Sequence, residues 1–151
     1  MQHIEYTDTI GMDAREVEQR LQSTETGVLS LARDGEAYAI PVAHYYDGER
    51  LFFRLGVVEG SKKRSFWEAT ETACYTLHGA DPVDGSRRLD SWSVVATGRL
   101  VELPASAHDR FDTAEINRRF APLRVFGEAV EDIEVVVLEF DIETLTGRRT
   151  L

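Results

Sequence analysis

The sequence predicts a mainly β domain: six antiparallel strands closing into a whole or split barrel, with two or three peripheral helices. Three observations predict it. Asp34-Gly35 and Asp47-Gly48 each separate two apolar runs, the pattern of tight hairpin turns. Further strand-like runs follow with short turns between them. Gly98 interrupts the longest of these and suggests a bend or bulge, as barrel strands require. At 151 residues the chain fits one domain and can bury a core without disulfides or metal.

In chain order, Asp13 caps a first helix that runs to about Gln22, with Glu16 placed to reach back as a capping box. Ala14, Val17 and Leu21 share one face of it. Strands then cover 27–33, 36–46 and 50–55, joined by the two Asp-Gly turns. Pro41 falls inside the second; it cannot donate to a ladder, so it marks an edge, a bulge or a strand whose neighbours face a ligand. Ser61 caps a helix over 62–69, with Phe66 and Trp67 as its buried contacts. A fourth strand spans 72–77. The polar stretch 79–90 reads as a loop and a candidate lid. The longest strand, 91–103, precedes a helix opened by Pro104 and ended by Pro122. A last strand begins at Val135, and Thr146-Gly147-Arg148-Arg149 reads as a closing turn.

The formal net charge of −10 repels phosphate backbones, so nucleic acid is not an expected partner. Few lysines and many carboxylates fit a salt-adapted, halophilic proteome or an ordinary acidic protein. No apolar run approaches a membrane span, and Met1-Gln2-His3-Ile4-Glu5 lacks a signal-peptide pattern, so no membrane partner and a cytoplasmic location are expected. The single cysteine, Cys74, excludes an intrachain disulfide and reads as a small core residue. The four histidines lack zinc-ligand spacing, so no metal is expected.

Against this acidity, Gly60-Ser61-Lys62-Lys63-Arg64 forms a basic turn between a strand and a helix. A phosphate monoester needs backbone amides, hydroxyls and cations converging on one point, and this turn offers all three. Arg54, on the preceding strand, can grip two oxygens at once. The glycine spacing of a Walker A loop is absent. The same residues also read as a solvated helix start.

The ordered set of elements resembles the pyridoxamine 5′-phosphate oxidase-like, FMN-binding split-barrel family. The residues that carry it are Ile40-Pro41-Val42, the Asp47-Gly48 turn, Leu51-Phe52-Phe53-Arg54 and Gly60-Ser61-Lys62-Lys63. The Cys74 strand, Trp92-Ser93-Val94-Val95 with Gly98-Arg99, and Leu138-Glu139-Phe140 with Thr146-Gly147-Arg148 continue it. The resemblance implies an FMN cofactor at a homodimer interface and a flavin-dependent oxidoreductase acting with a small-molecule substrate or electron donor. The alternative it leaves is a non-catalytic module for flavin, deazaflavin or haem.

By resemblance Lys63 holds the FMN phosphate, with Ser61, Lys62 and Arg54 beside it; counting from Gly60-Ser61 instead favours Lys62. Ile40, Pro41, Val42 and Ala43 would face the isoalloxazine ring, with Ser93 at its edge. Trp92 would stack near the flavin or sit buried in its strand. His44, Tyr45 and Tyr46 line a pocket or mark a strand end, and Arg148 and Arg149 reach a partner's site or form a solvated tail. The substrate-binding signature of the phosphate oxidase proper is absent, and no residue stands out as catalytic.

Overall fold

A hairpin at Asp34-Gly35 joins strand β2 (Thr26–Arg33) to strand β3 (Glu36–Tyr46). Both turn residues have positive φ, 50° and 79°, the hand that matches the twist of the flanking strands. At the second turn, Asp47 Oδ1 accepts from the amides of Glu49 and Arg50 at 2.9 and 2.7 Å and starts strand β4 (Leu51–Val57). This is a computed structural model, and it describes residues 4–104, 118–123 and 127–151.

The other elements are β1 (Thr9–Gly11), α1 (Ala14–Ser23), α2 (Lys62–Ala69), β5 (Ala73–Pro82), β6 (Leu89–Glu102) and β7 (Glu134–Thr150). Asp13 caps α1 through the Glu16 amide at 2.8 Å, and Ser61 caps α2 through the Lys63 amide at 3.2 Å. The strands run β7-β4-β3-β2-β5-β6 and return to β7, a closed ring of six. The short β1 pairs outside it with the end of β7. Those three residues are too few to show a pattern in sequence.

Closure depends on β7. Its first part pairs with β4, and from Leu138 to Arg149 it pairs with β6. The register shifts at Thr97/Gly98, where a Cβ on Gly98 would lie 2.1 Å from the Asp141 carbonyl oxygen. The bend expected at Gly98 is therefore a bulge that only glycine fits.

The split lies between β3 and β4. They pair only from Ala43 to Tyr46 against Leu51 to Arg54, then separate. Pro41 sits in the separated half, where its missing N–H costs no ladder bond on that side. Along β4, Leu51, Phe53, Leu55 and Val57 enter the barrel core, while Phe52 packs outside it with Val137 and Phe120.

Four expectations are corrected. The stretch 79–90 is no irregular loop: β5 and β6 stay paired to Pro82 opposite Leu89, leaving a short turn about Gly85. Residues 146–149 are strand, because β6 pairs along them and β1 takes up their last two. Cys74 points outward between Ser30 and Thr97, since its neighbours Ala73 and Tyr75 fill the core. The Glu16 carboxylate also departs from the capping box, lying 2.7 Å from Arg149 Nε. The helix expected after Pro104 falls largely outside the described residues. Among the described residues, no helix is long and apolar enough to cross a membrane.

His44 is buried and ties α1 to the barrel. Its Nε2 lies 3.0 Å from the Leu21 carbonyl oxygen, so Nε2 carries the proton. Nδ1 then accepts from the Tyr75 hydroxyl at 2.5 Å. Burial lowers the His44 pKa below its usual 6.5 and raises that of Tyr75. Below 6.5 the unfolded chain takes a proton that the folded chain refuses, so stability falls as pH falls. As pH falls from 6.5 to about a unit below, urea unfolding should show a slope rising toward at most about 1.4 kcal/mol per pH unit, which His44→Phe flattens. Equal slopes in both proteins would exclude His44 as its source.

Candidate functional site

The split opens into a cavity of about 600 Å³. One wall is β3 through Ile40, Pro41, Val42 and Ala43; the opposite wall is β4 through Arg54, Leu55 and Gly56. The even residues of β4 face this side because the odd ones fill the barrel. Lys63 enters from the first turn of α2, and Pro122 and Leu123 cover one side.

Arg54 is only 6 % exposed. Its Nη2 donates to the Ala121 carbonyl oxygen, and its guanidinium lies 5.5 Å from the centre of the Phe120 ring. Its Nε is buried without a hydrogen-bond partner, and among the described residues no carboxylate pairs with it. Burial accordingly lowers its pKa. A buried cation without an anion is costly, and the cost is relieved by an anion arriving in the cavity. Lys63 Nζ donates to the Gly56 carbonyl oxygen at 3.0 Å. Gly56 is two residues beyond Arg54, about 7 Å along the strand, so both cations serve one end of the cavity.

The other basic-turn residues go elsewhere. Successive helix positions diverge by about 100°, so Lys62 cannot follow Lys63. Its Nζ lies 3.4 Å from a Glu36 carboxylate oxygen and 5.0 Å from the centre of the Tyr38 ring. Ser61 is engaged in capping and lines a separate surface hollow with Arg64 and Glu134. Arg64 pairs with Glu102 and Glu134, each at 3.2 Å. Ser61 and Lys62 therefore do not join Lys63 and Arg54 in the cavity.

Trp92 and Ser93 lie on β6, opposite Arg149 and Arg148, and do not line the cavity of their own chain. Trp92 packs on Gly79, with the Arg20 guanidinium 4.3 Å from its ring centre. His44 is structural, as above. Tyr45 stacks on Phe52 and lies beneath Arg119. Sequence reasoning missed Pro122 and Leu123, whose irregular stretch carries no periodic signal.

Outside the barrel, two rows cross the strands in register. Pro41, Val28, Thr76, Val95 and Thr146 make one. Ala39, Ser30, Cys74, Thr97 and Thr144 make the other. Neither contains a charge, in a chain where 29% of residues are charged. Val28 and Val95 are 40% and 37% exposed. The face is continuous with the cavity through Pro41.

The ring, its split and its outer rows define an antiparallel split-barrel protein. The family model described as pyridoxamine 5′-phosphate oxidase matches residues 13–149, and the chain belongs to that family. Three solved structures share the fold. A FAD-binding protein from Mesorhizobium loti has a TM-score of 0.69 at 21% identity, covering 93% of this chain and 97% of that one. A FAD-binding protein from Mycobacterium smegmatis has a TM-score of 0.67 at 17% identity, covering 93% and 98%. A FAD- and haem-binding protein from the same organism has a TM-score of 0.63 at 14% identity, covering 94% and 73%. No curated protein matches the chain.

Proposed function

We propose that this chain binds FMN in the cavity between β3 and β4 and acts, as a homodimer, as a flavin-dependent oxidoreductase on a small molecule. The observation that carries the reading is Arg54: a buried guanidinium, unpaired at Nε, at one end of a largely apolar cavity. The cavity volume falls within the range of small-molecule sites, roughly 300–1,000 Å³. Similarity to flavin-binding proteins supports the same reading.

In this reading Arg54 and Lys63 hold the phosphate, and the 40–43 segment orients the ring. The bound flavin supplies hydride or electron transfer. The protein's part is to place it, exclude water from one face and fix its polar edge.

The uncharged outer rows support pairing of two copies, since an acidic surface otherwise repels itself. Ser93 points outward beside Val95 and would serve the partner's cavity rather than its own. Trp92 stays against its own chain.

Purified protein should bind FMN at low micromolar levels, elute as a dimer, and oxidise reduced nicotinamide when loaded. Lys63→Ala should weaken FMN about tenfold and riboflavin hardly at all, because only FMN carries the phosphate. Absence of flavin binding by difference spectroscopy would defeat the reading. Binding without turnover would leave a storage or sensing module.

A further inference from the structure

We propose that segment 120–123 sets which flavin the cavity accepts, admitting FMN and excluding FAD; this rests on the flavin reading above. The two cofactors share everything up to the first phosphate. FAD continues through a second phosphate to adenosine, so a site that separates them must differ beyond that first phosphate.

Here that place is walled. The guanidinium of Arg54 is held between the Phe120 ring and the Ala121 carbonyl oxygen. Phe120 is 4 % exposed and packs with Phe52 and Val137, so the segment is anchored rather than draped. Leu123 lies so close to β4 that a Cβ on Gly56 would be 2.8 Å from its Cδ2 and 3.0 Å from Ile133 Cγ2. A phosphate drawn to Arg54 Nε and Lys63 therefore meets packed side chains, not an open groove.

Charge points the same way. Arg54 and Lys63 are the two cations among the described lining residues, enough for one terminal phosphate. To extend past the first phosphate, a dinucleotide has to displace Phe120 or Leu123 from β4.

The test is fluorescence titration of FMN and FAD against wild type, Leu123→Ala and Phe120→Ala, with thermal melts to verify folding. Wild type should prefer FMN by about tenfold or more. Leu123→Ala should narrow the ratio to about threefold, FAD gaining relative to FMN. Phe120→Ala should act in the same direction; if it does not fold, Leu123→Ala decides alone. Equal binding of the two flavins by wild type, or a ratio unmoved by Leu123→Ala, overturns the inference and leaves the flavin reading standing. Binding of neither flavin removes both.

Discussion

Replacing Arg54 with leucine is expected to weaken FMN about a hundredfold while leaving the thermal midpoint unchanged or higher. The two halves of this expectation have one cause. Arg54 is buried with its Nε unpaired and no carboxylate beside it among the described residues. In the ligand-free chain such a charge is a burden, and an apolar side chain of similar reach removes it. In the loaded chain, hydrogen bonds from a guanidinium to an anion contribute about 1.5–3 kcal/mol each. Losing them costs about 3 kcal/mol, which is about a hundredfold in affinity.

Riboflavin supplies the control. It lacks the phosphate, so its affinity should not fall with that of FMN. Fluorescence titration of both flavins, beside melts at fixed protein concentration, checks the expectation. A variant that binds FMN like wild type, or that loses both flavins equally, excludes Arg54 as the phosphate contact. Lys63→Ala should cost less, because Lys63 is only half-buried and its ammonium already donates to the Gly56 carbonyl.

The meander was legible because its signals are local. Asp-Gly pairs and period-two alternation placed β3, and the Ser61 cap placed α2, at the bounds the structure has, 36–46 and 62–69. The bulge at Gly98 was legible for the same reason. What failed was non-local. Thr146-Gly147-Arg148-Arg149 has turn composition, yet β6 and β1 pair along it from distant parts of the chain. Residues 79–82 remain strand because β6 pairs with them, despite their glycine, aspartate and proline.

The site divides in the same way. The basic turn was visible because Lys62 and Lys63 are the only lysines in the sequence and stand side by side. Which of them enters the cavity was left open by counting along the chain. Helix geometry sends Lys63 toward Gly56 and Lys62 toward Glu36. The cover at Pro122 and Leu123 meets β4 some 70 residues away in sequence, and no motif announces that contact.

Phe53→Ala is expected to destabilise the fold by about 3–5 kcal/mol. Phe53 precedes Arg54 on β4 but points the opposite way, and it is fully buried. Its ring lies 4.5 Å from Tyr75 and 5.4 Å from Phe140, centre to centre. Truncation would leave a void where β4, β5 and β7 meet, beside the hydroxyl that holds His44. At about 2–4 °C per kcal/mol for a chain of this size, the midpoint should fall by about 6–20 °C.

Urea titration at fixed protein concentration measures the loss, and a value under about 1 kcal/mol would show that the ring is not central to the core. FMN affinity of the folded fraction should change little, because Phe53 does not itself line the cavity. Adjacent residues of one strand would then separate the two properties. The inward ring sets whether the barrel stands, and the outward guanidinium sets what it holds, which is the consequence of burying β4 on both faces.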